Sequence, residues 1–219
     1  MLKLININAN NILRDLNLEV NKGEFIIVVG ENGTGKSTLF NIISGAIKPS
    51  SGKIYINNKD ITKFSQYKRA KIITNVVQDP KSGTISEMTI FENLYLSYMR
   101  GKRKNIKPLS KNLMKNLFYT KLKTLNMELE NRMNDYVGQL SGGQRQALSL
   151  IMATISNYDI LLLDEITAAL DPKSSDNIMR IVTNLTKKEN KTCLAITHDL
   201  KYMNTLGARV LKLSNGKLY

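Results

Sequence analysis

The chain has 219 residues, 42% of them hydrophobic, and carries 32 Lys and Arg against 18 Asp and Glu, a formal net charge of +14. That length supports one core with an embedded subdomain and is short for two independent domains. One cysteine, Cys193, excludes an intrachain disulfide framework; no apolar run approaches the roughly 18 to 20 residues of a membrane span, and the start MLKLININANN lacks a signal-peptide pattern. The expectation is a cytoplasmic protein.

The chain opens with short strand-like runs, LKLINI and LRDLNLEV, followed by FIIVV at residues 25–29. FIIVV runs directly into GENGTGKST, and a helix is predicted from residue 36 to about 45. SGKIYINNKDIT places Asn57-Asn58 between two strand runs, the pattern of a hairpin turn. IITNVV then leads to Gln78. After DPKSGTISEMT, which reads as a loop, helical periodicity dominates from residue 90 to about 156. Strand character returns in DILLLDE, whose apolar run suits a strand buried on both faces. A helix over about 172–189, the strand TCLAIT with Cys193 in its core, and a closing hairpin through Asn215-Gly216 complete the chain. The pattern is α/β at both ends around a helical middle.

Charge is distributed unevenly. From Asn93 to Met127 there is no acidic residue, while Arg100, Lys102, Arg103, Lys104, Lys107, Lys111, Lys115, Lys121 and Lys123 are basic. The stretch reads either as a solvated loop and helix face or as a contact for anionic groups.

Chemistry concentrates at a few points. GENGTGKST fits G-x-x-x-x-G-K-[ST], in which glycines let successive backbone N–H groups turn toward phosphate oxygens. The loop follows an apolar strand and opens a helix, as phosphate binding requires. Lys36 is placed to reach the β and γ phosphates and Ser37 to ligate Mg2+, with Gly30, Asn32, Gly33, Thr34, Gly35 and Thr38 completing the cradle. ILLLDE ends in two carboxylates that strand alternation points to different sides: Asp164 for Mg2+ and Glu165 to polarise an attacking water. The only histidine, His198, follows the strand TCLAIT, where ligand groups gather in open α/β sheets. Gln78 likewise ends a strand, positioned to orient water or contact the metal. A second glycine pair lies in LSGGQRQ, where Ser141, Gly142, Gly143 and Gln144 open a helix and form another anion site.

Together these residues resemble the nucleotide-binding domains of ABC transporters. GENGTGKST resembles the Walker A loop, Gln78 the Q-loop glutamine, LSGGQRQ the signature, ILLLDE the Walker B strand with its catalytic glutamate, Ala169-Leu170-Asp171 the D-loop and His198 the switch histidine. The resemblance implies a P-loop NTPase fold: a RecA-like, mainly parallel core with N-terminal antiparallel strands, plus an inserted helical subdomain. On this resemblance residues 1–219 are expected to form one ABC ATPase domain, with 1–85 and 157–219 as the core and 86–156 as the helical subdomain. It also implies ATP and Mg2+ as ligands, and a second copy paired head to tail, so that each signature covers the γ-phosphate at the other's Walker A and Asp171 lies at the seam.

The sequence departs from the family pattern in three places. Residues 1–24 contain no Phe, Tyr, Trp or His to stack on adenine, which predicts loose discrimination between ATP and GTP. The N-terminal strands read as short, and Ile166 stands where proline commonly follows the catalytic glutamate.

A single motif set without membrane spans is similar to importer subunits that dock on a separate permease at the cytoplasmic face of the membrane, usually beside an extracytoplasmic solute-binding protein. Residues 78–100 would receive the permease's coupling helix, with Met88, Ile90, Phe91, Leu94, Tyr95 and Tyr98 as apolar material. Their phrasing resembles ATPases that serve small organic solutes, including aromatic amino acids. No long coiled coil and no second motif set favours a nucleic-acid-associated ATPase, and no specific nucleic-acid partner is expected. A subunit of a lipoprotein-release or cell-division complex stays open.

Overall fold

The computed structural model describes residues 1–9, 11–100, 110–168, 170–197, 201 and 207–219. His198, Ala169 and the basic residues Lys102, Arg103, Lys104 and Lys107 lie outside the described residues. The chain divides into two compact units, one of Met1–Asn75, Tyr158–Glu165 and Thr183–Tyr219 and the other of Val76–Asn157 and Ile166–Val182.

The first unit holds two sheets. β1 (Leu2–Ala9), β2 (Leu13–Val20), β4 (Ser51–Ile56) and β5 (Lys59–Asp60) form an antiparallel sheet in the order β2-β1-β4-β5. The N-terminal strands are longer than their pattern suggested, eight residues each. Their inward side chains Leu2, Leu4, Ile7 and Ala9 change phase at Asn6 because the register shifts there, and a bulge moves every later side chain to the other face. Asn6 and Asp15 both take left-handed φ, 48° and 46°. The side chains of Asn8 and Asn17 hold them, accepting from the Asp15 and Asn6 N–H groups at 3.0 Å each.

The second sheet has the order β10-β9-β3-β8-β7-β6, built from β3 (Phe25–Val29), β6 (Ile73–Val76), β7 (Ile160–Asp164), β8 (Thr192–Ile196), β9 (Arg209–Ser214) and β10 (Lys217–Leu218). β3 runs parallel to β8 and β9, and β7 parallel to β8. FIIVV and ILLLD are apolar almost throughout, as central strands must be, and Cys193 is fully buried in β8. Both hairpins form where expected: Asn57 (φ 49°), Asn58 (64°), Asn215 (50°) and Gly216 (78°) all adopt positive φ, the geometry of type I′ turns. α1 (Lys36–Ser44) packs Leu39, Phe40, Ile42 and Ile43 into the core formed with both sheets. It ends at Gly45, whose φ of 85° makes the left-handed cap that stops a helix.

The second unit is mainly helical, with α3 (Ile90–Met99), α4 (Lys111–Lys123) and α5 (Gly142–Thr154). Thr89 and Glu92 cap α3 reciprocally, and the hydrogen bond from the Thr89 N–H holds the Glu92 carboxyl below its usual pKa. Phe91 and Tyr98 pack their rings on Phe118 of α4, with centroids 5.2 and 6.1 Å away. Fully buried Asn93 ties the chain ahead of α3: its carboxamide accepts from the Ile85 N–H at 2.8 Å and donates to the carbonyls of Ile85, Met88 and Thr89. α6 (Pro172–Glu189) begins in this unit and ends in the first. Among the described residues no helix is long and apolar enough to cross a membrane.

Candidate active site

In the first unit the chain leaves β3 at Val29, turns through residues 30–35 and enters α1 at Lys36. This brings Gly30, Asn32, Gly33, Thr34, Gly35, Lys36, Ser37 and Thr38 onto one loop and helix start. Gly35 occupies the N-cap at φ 102° with no side-chain cap, and no acidic residue lies in the first turn. The first N–H groups of α1 therefore keep their positive end for an anion. Gly35 is required twice over, by its left-handed φ and by space, since a Cβ there would meet Ile12 Cγ2 at 2.6 Å and Leu13 Cδ2 at 3.0 Å. Lys36 is buried, and its Nζ donates to the carbonyls of Gly30 at 2.7 Å and Glu31 at 2.9 Å. Two of its three N–H donors thus fix the ammonium at the loop.

Asp164 ends β7 beside α1. Its carboxyl is pushed above the ordinary aspartate pKa, first by desolvation and then by the neighbouring Glu165 charge, while a hydrogen bond from Ser37 and the Lys36 charge act the other way. A desolvated carboxylate paired with a serine hydroxyl suits Mg2+, which is held by one or two carboxylates with water and phosphate oxygens completing the shell. Among the described residues no group of three or more His, Cys, Asp or Glu side chains gathers to hold a metal.

Glu165 corrects the expectation of simple strand alternation. β7 stops at Asp164, and Glu165 takes a left-handed φ of 48° with its N–H bonded to the Ile196 carbonyl at 3.0 Å. The turn of the backbone, and not the pleat, separates the two carboxylates. A cavity of about 470 Å³ adjoins the phosphate loop, lined by Asn11, Ile12, Arg14, Asn32, Gly33, Thr34, Asn215 and Gly216, none of them aromatic.

In the second unit, Ser141 caps α5 and its hydroxyl accepts from the Gln144 N–H at 3.3 Å, while the Gln144 side chain accepts from the Ser141 N–H at 3.2 Å. Gly142 and Gly143 fill the first helical positions, and a Cβ on Gly142 would meet nothing within 4 Å, so its backbone faces open space. The Ser174 hydroxyl, with the Ser174 N–H that donates to Asp171 at 3.0 Å, holds the Asp171 carboxyl below the usual pKa. Ser141, Gln144 and Asp171 border one cavity of about 600 Å³ with Lys173, Asn177 and Arg180. Gln78 lies in this unit, just past β6. The site residues that are described thus form two sets, one in each unit.

The ABC transporter family model matches residues 13–168. The chain belongs to the ABC transporter family. It is 43% identical over 209 residues to a tyrosine transport ATP-binding protein of Clostridioides difficile, covering 95% of this chain and 83% of that one. It is 33% identical to a carnitine transport ATP-binding protein of Listeria monocytogenes, covering 94% of this chain and 50% of that longer protein. Among solved structures, an ATP-binding cassette dimer in a post-hydrolysis state, bound to ADP and Pi, superposes with a TM-score of 0.86 at 30% identity, covering 100% of this chain and 96% of that one. The chain is an ATP-binding ABC ATPase with the P-loop NTPase fold.

Sequence reading missed several residues that shape these sites. Of the apolar residues expected in 78–100, Ile90 and Leu94 belong to the core and are fully buried, whereas Ile85, Leu96 and Tyr136 are the exposed apolar side chains of this unit near the Gln78 segment in sequence or by pairing. The pairing of Thr89 with Tyr136 joins stretches far apart in sequence, which local periodicity does not reveal.

Proposed function

We propose that this ATPase powers a separate membrane permease that imports a small organic solute, an aromatic amino acid in particular, and that it works as a head-to-tail pair at the cytoplasmic face of the membrane. The observation that carries the pairing is the second anion site: α5 opens at Ser141 with Gly142 facing open space, in a unit that has no phosphate loop of its own. A helix start of this kind fits a phosphate supplied by another chain. The similarity to a tyrosine transport protein supports the solute class, and exposed Ile85, Leu96 and Tyr136 offer apolar surface for a permease.

In the proposed cycle, residues 30–38 hold the triphosphate of ATP, with Lys36 against the β and γ phosphates. Ser37, Asp164 and Gln78 would hold Mg2+, which when bound neutralises charge on the phosphate oxygens. The partner copy's Ser141, Gly142, Gly143 and Gln144 close on the γ-phosphate, stabilising charge as it spreads over the transferring group. Glu165 and His198 position the attacking water in line, and Asp171 lies at the seam. Loss of the γ-phosphate removes the bridge between the copies, and opening moves the Gln78 segment against the permease. An extracytoplasmic solute-binding protein would deliver the solute, and no specific nucleic acid takes part.

The test is affinity purification of the tagged chain from detergent-solubilised membranes together with uptake of labelled tyrosine. Recovery of an integral membrane permease, and uptake lost in Glu165→Gln, are expected. Salt-sensitive recovery of RNA or DNA with no membrane protein would overturn the proposal.

A further inference from the structure

Two side chains directly after the SGGQ turn face the protein interior. Arg145 and Gln146 are buried, 7% and 2% exposed, and reach back to the chain on either side of Gln78. Arg145 Nε donates to Thr84 Oγ1 at 2.6 Å, and its Nη2 donates to Ser86 Oγ at 2.8 Å. The Thr84 hydroxyl in turn donates to the Pro80 carbonyl at 2.8 Å, so the contact extends to residue 80. Gln146 Nε2 donates to the Val77 carbonyl at 3.3 Å.

This arrangement is expensive. A buried guanidinium costs several kcal/mol unless paired, and among the described residues no carboxylate pairs with Arg145. A cation in the first turn of a helix also opposes the helix dipole. Packing alone would be served better by an apolar side chain. What the guanidinium supplies is a directional link between two stretches 59 and 61 residues apart.

The same segment is tied to the signature a second time. The Gly138 N–H donates to the Ser86 carbonyl at 3.0 Å and the Val137 N–H to the Met88 carbonyl at 3.0 Å. Residues 84–88 therefore grip the chain on both sides of Ser141, through the backbone just before it and through Arg145 just after it. Exposed Ile85 and Tyr136 lie on the gripped stretches.

We propose that Arg145 is a positioning residue that locks residues 84–86 to the start of α5, so that a displacement at residues 84–88 moves Ser141 and its backbone donors with it. The inference rests on the reading that Ser141 acts on a partner's γ-phosphate. Arg145 touches no substrate; it sets where the anion site stands when two copies meet.

The purified full-length chain tests this through a split between binding and turnover. Arg145→Met should leave the Kd for a fluorescent ATP analogue within about twofold of the parent, because the phosphate loop is untouched. It should lower kcat by about tenfold or more, since a misplacement near 1 Å costs up to about a hundredfold. Adding Thr84→Val to Arg145→Met should cost nothing further, and Arg145→Lys, which keeps one donor arm, should recover part of the loss. Thr84→Val and Ser86→Ala, which leave the guanidinium in place, carry the same test if Arg145→Met does not fold. A kcat within twofold of the parent, an equal loss of nucleotide binding, or additive losses in the double variant would overturn the proposal. Ser141→Arg is the control: if it hydrolyses cooperatively at the parental rate, the composite-site reading itself fails, whereas its loss beside a parental Arg145→Met fails only the Arg145 assignment.

Discussion

Arg69 offers a quantitative test of how the phosphate-loop helix is held. The side chain is 1% exposed, on the short helix α2 (Gln66–Arg69), and burial pulls its pKa down. Its Nη1 donates to the carbonyls of Ile42 at 2.6 Å and Ile43 at 2.9 Å, the last turn of α1, and its Nη2 donates to the Thr62 carbonyl at 3.0 Å. A cation at a helix C-terminus is favourable on dipole grounds, and each charge-assisted hydrogen bond contributes about 1.5–3 kcal/mol. Desolvating the guanidinium offsets several kcal/mol of that sum. Arg69→Met, which keeps length and apolar bulk, should therefore destabilise the protein by about 3 kcal/mol. In a chain of this size that lowers Tm by about 6–12 °C, measured by calorimetry or thermal circular dichroism. Gly45 supplies an internal check, because a Cβ there would meet Arg69 Cδ at 2.9 Å. Gly45→Ala should cost about 1–2 kcal/mol from its left-handed φ alone and more in the presence of Arg69. In an Arg69→Ala background, which removes the δ atom, the extra cost should disappear, giving a coupling above about 0.5 kcal/mol. A Tm within about 3 °C of the parent for Arg69→Met, or strict additivity of the pair, would refute this account of the capped helix.

Two further outcomes follow from the same geometry. Asn93→Ala removes a fully buried carboxamide that makes four hydrogen bonds to the 85–89 backbone and should cost about 2–4 kcal/mol, with faster hydrogen exchange confined first to that stretch. Because the cavity beside the phosphate loop is lined by Ile12 and Arg14 and by no aromatic ring, GTP should compete with ATP with a Kd within about tenfold; a preference for ATP above about a hundredfold in a competition assay would contradict this.

Much of the fold was legible because its signals are local. FIIVV, ILLLD and TCLAI are continuous apolar runs, and they became the central parallel strands β3, β7 and β8. Asn57-Asn58 and Asn215-Gly216 marked their turns because few residues tolerate positive φ at two successive positions. The phosphate loop was legible for the same reason. The N-terminal strands were read short because the bulge at Asn6 breaks the alternation on which strand reading depends. The break at Glu165 left no composition signal, since a glutamate at φ 48° is held there by the surrounding structure and not by preference. Arg69, Asn93 and Arg145 were overlooked because a polar residue reads as surface until its partners are known, and those partners lie 7 or 27, 8, and 61 residues away in sequence.

In the proposed pairing the SGGQ turn completes a nucleotide site only on another copy. Light scattering of Glu165→Gln with Mg-ATP measures this most directly. The expected result is a dimer holding two unhydrolysed ATP, formed on ATP addition and abolished when Ser141→Arg is added to the same chain. A species that stays monomeric at saturating ATP, or a Glu165→Gln variant that hydrolyses ATP at the parental rate, would contradict the account.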